Sequence, residues 1–106
     1  MLNIYGVAIL VCRECVVVIR RIAVSDRNLA DQLRRAVTSV PLNIAESDGQ
    51  AGGNRRQRRL SALGSAREVK ACIEVAEAMG YIDEAPREIM EKLEHVIGVL
   101  VKVARP

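Results

Sequence analysis

Leu60, Leu63, Ala66, Val69, Ile73 and Ala76 recur every three or four residues, which is the repeat of one face of an α-helix. Leu29, Leu33, Ala36, Val37, Val40 and Ile44 keep the same rhythm upstream, and Ile89, Leu93, Val96, Ile97, Leu100 and Val103 keep it downstream. Each apolar stripe must be buried against another element, and no segment among them alternates in the manner of a half-buried strand. The chain of 106 residues therefore has to fold helix against helix.

A fourth helix precedes these three. From about residue 2 to 24 the chain is rich in strand-favouring residues such as Val7, Ile9, Val11, Val16, Val17, Val18 and Ile19. It nevertheless runs for about twenty residues without a turn signal, several times a typical strand length. Its apolar positions run almost all the way round, with charge concentrated at Arg13, Glu14, Arg20 and Arg21. A helix of that kind is covered on more than one side, and one small domain covers a single side, so a second subunit is the expected source of the rest. Four stripes with short connections predict an all-α, antiparallel, up-and-down four-helix bundle in one domain spanning residues 1–106, with helices at about 2–24, 27–47, 55–79 and 84–104.

Local signals mark the ends. Ser25 or Asp26 caps the second helix. Asn54 with Gln57 three residues later forms a capping-box variant for the third, after a flexible glycine-rich turn, "SDGQAGGN". Gly80 ends the third helix as a left-handed cap, with Tyr81 or Ile82 folding back; Asp83 caps the fourth, and Pro86 falls in its first turn. Pro41 lies inside the second helix, where it removes the hydrogen bond to the Val37 carbonyl and is expected to kink the helix, with Thr38, Ser39 or Asn43 satisfying freed backbone groups.

Charge is unevenly placed. Residues 1–70 hold 12 Lys/Arg against 6 Asp/Glu, and residues 71–106 hold 4 against 7, which leaves the whole chain at +3. The basic excess is almost entirely arginine, whose rigid fork of donors pairs with phosphates or carboxylates. Aromatic residues make up only 2% of the chain, and Tyr5 and Tyr81 are its only flat rings, so base stacking of the kind used on single strands is not expected. The first apolar run is broken by Arg13 and Glu14, falls short of the roughly 20 residues of a spanning helix, and lacks the marks of a signal peptide. A cytoplasmic protein with reduced cysteines and no membrane contact is expected.

Four features bear on chemistry. Cys12 and Cys15 have C-x-x-C spacing, and Cys72 with His95 would complete a metal set, but the βαβ setting of a redox pair is absent and three helices would have to converge, so the cysteines read as packing. His95 has no nucleophile or paired acid to work with, and no catalytic residue or cofactor is assigned. "GQAGGN" precedes a helix but lacks the Lys-Ser/Thr of a phosphate loop. The sharpest feature is "NRRQRR": Arg55, Arg56, Arg58 and Arg59 crowd the start of the third helix, where the dipole disfavours cations. Either they form, with Arg34 and Arg35, a patch for phosphates or an acidic partner, or they are a solvated face paired with Glu46 or Asp48.

The stretches "QLRRAVTSVPLNIAESDG" and "RRLSALGSAREVKACIEVAEAMGYID" resemble the signature of the four-helix-bundle proteins encoded within intervening sequences of bacterial large-subunit ribosomal RNA genes. Gln32, Arg34, Arg35, Ser39, Pro41, Asn43, Ile44, Ala45, Glu46, Gly64, Ser65, Glu68, Gly80 and Tyr81 fall in order at the spacing of that signature. Ser47 stands where the family usually has glycine, and the first helix lacks the family's tryptophan. The resemblance implies a non-enzymatic homo-oligomer, typically a pentamer. A more distant branch serves diversity-generating retroelements as a basic accessory protein that engages RNA and a reverse transcriptase. With the arginines, the expected function is binding of RNA or DNA through its backbone, the alternative being a protein-interaction scaffold for a reverse transcriptase, and a third a Cys/His metal protein.

Overall fold

The structure, a computed structural model, describes residues 3–49 and 52–104. Four helices account for the fold: α1 (Ile4–Ser25), α2 (Arg27–Asp48), α3 (Gly52–Ala78) and α4 (Arg87–Val103). There is no strand among the described residues. Each helix packs on its sequence neighbours, and α4 closes the ring against α1, which is the up-and-down bundle that short connections dictate. The longest dimension is 43 Å, close to the length of α3 at about 1.5 Å per residue.

The core is a heptad-like seam in every helix. Buried residues run Ile4, Ala8, Val11, Cys15, Val18, Ile22 in α1 and Ala30, Leu33, Val37, Val40, Ile44, Ser47 in α2. Ala62, Ala66, Val69, Ile73, Ala76 do the same in α3, and Ile89, Leu93, Val96, Leu100 in α4. Strict alternation of fours and threes keeps one line of side chains on the bundle axis, so knobs on one helix fill holes on the next. Several expected stripe residues lie at the margin: Leu29, Leu60, Ile97 and Val103 are half-buried.

Helix ends depart from the sequence expectations in two places. The third helix starts at Gly52, so Gly53 and Asn54 are helical and Asn54 is not its cap; within the "SDGQAGGN" turn, residues 50 and 51 lie outside the described residues. Glycine costs least in the first turn, where backbone donors have no intrahelical partner to lose. At the other end, residues 81–84 are bends, α4 opens at Arg87 rather than near 84, and Asp83 is not its cap. Pro86 has extended ψ at 119°, and a proline disfavours helical geometry in the residue before it, so the helix cannot reach upstream. Glu88 instead places a carboxylate in the first turn, complementing the positive end of the dipole.

The remaining ends follow expectation. The Asp26 carboxylate accepts from Leu29 N–H at 2.9 Å and is the sole residue between α1 and α2. Gly80 has φ of 76°, Gly80 N–H donates to the Glu77 carbonyl at 3.0 Å, and Tyr81 N–H donates to that of Ala76 at 2.9 Å. This double bond pattern is a Schellman cap. Tyr81 also ties this turn to the α1–α2 corner: burial first, then the charge and hydrogen bond of Asp26, raise its phenol above the ordinary value. Ion pairs Lys70–Glu94 (2.6 Å) and Lys92–Glu14 (3.0 Å) link α3 to α4 and α4 to α1 at the surface.

α2 runs on to Asp48 with Pro41 buried inside it. The Val37 carbonyl that Pro41 leaves without its helical partner accepts a hydrogen bond from the Cys12 thiol of α1 at 3.2 Å. None of the side chains expected to serve it does so: the Thr38 hydroxyl bonds the Arg34 and Arg35 carbonyls, and Asn43 bonds that of Ser39. A donor from the adjacent helix thus repairs the gap without breaking α2.

Candidate nucleic-acid interface

The six arginines singled out in the sequence do not form one patch. Consecutive helical residues point about 100° apart, so Arg34 and Arg35 part company on α2. Arg34 pairs with Asp31 one turn earlier and lines a groove between α1 and α2, shared with Arg13, Arg20, Ile9, Val16 and Val37. Arg35 lines a separate groove of about 380 Å³ between α2 and α3, into which Arg58 comes from the other side. Arg13 and Arg20 were not assigned from sequence, though their seven-residue spacing places them on one face of α1.

The other arginines of α3 divide by what they touch. Arg56 Nε donates to the Ala104 carbonyl at 2.8 Å, a cation on the negative end of α4. That contact spans 48 residues and holds the end of α4 against the start of α3. Arg59 is half-buried, and its Nε is buried without a hydrogen-bond partner, as is Oδ2 of Asp48. Arg55, Arg56 and Arg58 are all exposed. Because α3 begins at Gly52, Arg55 sits beyond its first three residues, where the dipole has already weakened, so the expected conflict between arginines and helix start is smaller than the sequence suggests.

The α2–α3 groove holds a network of side-chain hydrogen bonds. Ser39 and Ser65 hydroxyls meet across the helices at 2.8 Å, and Asn43 Nδ2 donates to both the carbonyl and the hydroxyl of Ser39 at 2.9 Å. The Asn43 amide oxygen thereby faces Arg58, whose Nη1 lies 3.5 Å away. Polar signature residues thus occupy the seam between α2 and α3 instead of apolar ones.

The cysteines and His95 do not converge. Cys15 and Cys72 are buried in the core, Cys12 is engaged with Val37, and His95 is exposed on α4. Among the described residues no group of His, Cys, Asp and Glu is placed to hold a metal ion. Burial pushes the Cys15 thiol up to about 12, helped by the charges of Cys12 and Glu14; burial also raises Cys12 and Cys72 above 9.0. Thiols with raised values stay protonated and are poor nucleophiles. A raised folded-state value means that stability is complete below the unfolded thiol's value near 9 and falls as pH climbs from there toward 12. Urea unfolding at pH 8 and pH 10.5 is expected to show a loss at the higher pH that Cys15→Ala reduces; equal stability at the two pH values would contradict this.

No helix among the described residues is long and apolar enough to cross a membrane. Residues 1–102 match the family model described as 23S rRNA-intervening sequence protein. No curated protein and no solved structure matches the chain.

Proposed function

The chain belongs to the 23S rRNA-intervening sequence protein family, and we propose that it acts without catalysis, as a homo-oligomer whose arginine-rich surface binds structured RNA through the phosphate backbone. The oligomer is pentameric, as resemblance to the family implies. The observation that carries the binding reading is the exposure of Arg34, Arg35, Arg55 and Arg58 along α2 and the start of α3, within residues 1–70, which hold the basic excess. Such contacts position a nucleic acid without reading its sequence, and each phosphate neutralised releases counterions. With only two tyrosines and no other aromatic residue, the chain is better equipped for a duplex or folded RNA than for stacked single strands.

The test is a titration of the whole chain with a fluorescent RNA hairpin between 50 and 200 mM salt. Four phosphate contacts give a log–log slope of roughly −3 to −4, about a hundredfold loss of affinity over that range. Replacing Arg34, Arg35, Arg55 and Arg58 together by Ala removes most of that slope, while Arg56 is kept because it bonds the end of α4 and Arg59 because it is half-buried. Absence of salt-sensitive binding by the unsubstituted protein, with capture of an acidic peptide instead, would replace this reading by one in which the arginines meet carboxylates of a protein partner.

A further inference from the structure

The α2–α3 groove has features that a merely solvated face does not need. Arg35, Thr38, Ser39, Leu42, Asn43 and Glu46 recur at helical spacing along one side of α2, and Arg58 faces them from α3. Asn43 donates through Nδ2 to two oxygens of Ser39, one of them a carbonyl that can only accept. That fixes the rotamer of its amide, leaving the amide oxygen as the acceptor turned toward Arg58. Ser39 is held in turn by Ser65 across the helix pair. A chain of polar side chains therefore runs from α3 through α2 and back to a guanidinium on α3.

From this we infer that Arg35 and Arg58 form a clamp for a single phosphodiester of RNA, and that Asn43 is the positioning residue which aims Arg58. The inference rests on the RNA-binding reading above and narrows it to one groove. An arginine carries five N–H donors in a fixed fork; Asn43 takes one, and the outward edge is left to grip two phosphate oxygens. Thr38 adds no donor, because its hydroxyl is spent on the Arg34 and Arg35 carbonyls, which firms the turn carrying Arg35. Glu46 lines the groove as well, so two guanidiniums and one carboxylate leave a single positive charge. That balance suits the single negative charge of a phosphodiester and disfavours a polyphosphate or a strongly acidic peptide, which Glu46 would repel. Preorganisation explains why serines and an asparagine occupy the helix–helix seam where aliphatic residues would pack more simply.

The hairpin titration separates this from the broader reading. Arg35→Ala with Arg58→Ala is expected to weaken RNA binding at least tenfold and to reduce the log–log salt slope by roughly 1.5 to 2, two contacts' worth. Asn43→Ala is expected to reduce the slope by about one contact's worth. Added to Arg58→Ala it has little further effect, because both remove the same contact; a purely structural asparagine would instead weaken the Arg58→Ala protein again. Thermal unfolding of each variant shows whether the bundle is intact, and Arg27→Ala with Arg67→Ala, two exposed arginines outside both grooves, serves as the comparison at equal loss of charge. If the unsubstituted chain binds with a steep salt dependence and the Arg35/Arg58 pair can be removed with no more effect than Arg27/Arg67, the clamp is wrong while RNA binding stands. If the unsubstituted chain does not bind the hairpin, both fail.

Discussion

Ile44→Ala lowers the free energy of unfolding by about 2–5 kcal/mol. Ile44 is 0% exposed, four residues after Val40 and three before Ser47 on the α2 seam, and it lies one turn beyond the proline. Truncation removes the transfer free energy of the lost methyl and methylene groups and leaves a cavity that a backbone braced by Pro41 and the Cys12–Val37 bond closes poorly. A domain is stable by only about 5–15 kcal/mol, so this single change removes a large share. Leu42→Ala, two residues away, is the informative comparison: Leu42 is 65% exposed, and its loss is expected to change stability by no more than about 0.5 kcal/mol. Urea unfolding of both variants at one protein concentration checks the pair, the concentration being held because association stabilises the folded state. Equal effects at 42 and 44 would mean that the seam has been placed on the wrong face.

Much of the architecture is legible in the residues because helical period and burial are one signal. The centre of each stripe, such as Leu33, Val37 and Val40 or Ala66, Val69 and Ile73, is buried as the spacing demands. The cysteines pack as small core residues, as expected, and what escapes that signal is the polar member of a seam. Ser47 occupies a seam position by spacing alone, and it is buried because its hydroxyl donates to the Ile44 carbonyl at 2.7 Å, so it needs no partner from another helix. The helix starts at Gly52 and Arg87 differ from those that the capping residues Asn54 and Asp83 suggest, because glycine tolerance in a first turn and the constraint before Pro86 decide both. The arginines were legible as a class and not as a site: neighbours such as Arg34 and Arg35 enter different grooves, and the use of Arg56 is set by bundle closure, which brings Ala104 beside it.

Val17→Asp is expected to convert the proposed oligomer into a folded monomer. Leu10, Val17 and Val24 stand seven residues apart on α1 and are 41%, 60% and 87% exposed, with Val16 beside them. A bundle that seals its own core has no use for such a stripe, whereas a second copy laid along α1 would bury it. Charge decides how copies meet. The groove on the α2 side of α1 carries Arg13, Arg20 and Arg34, while the groove on the α4 side carries Glu14, Glu84 and Glu88 with Arg21 and Arg87. A twofold pair through the first groove would set arginines against arginines. A head-to-tail contact sets Arg13 and Arg20 of one copy against Glu84 and Glu88 of the next, Glu14 being already paired with Lys92. Such a heterologous contact closes into a ring when its rotation permits. An aspartate at position 17 places a charge at the centre of that contact but on the solvent side of its own bundle, so helicity and the urea midpoint of the dilute chain change little. Mass measured in solution reads the result directly. A one-chain mass for the unsubstituted protein would end the oligomeric reading, and an unchanged multiple for Val17→Asp would move the interface away from α1.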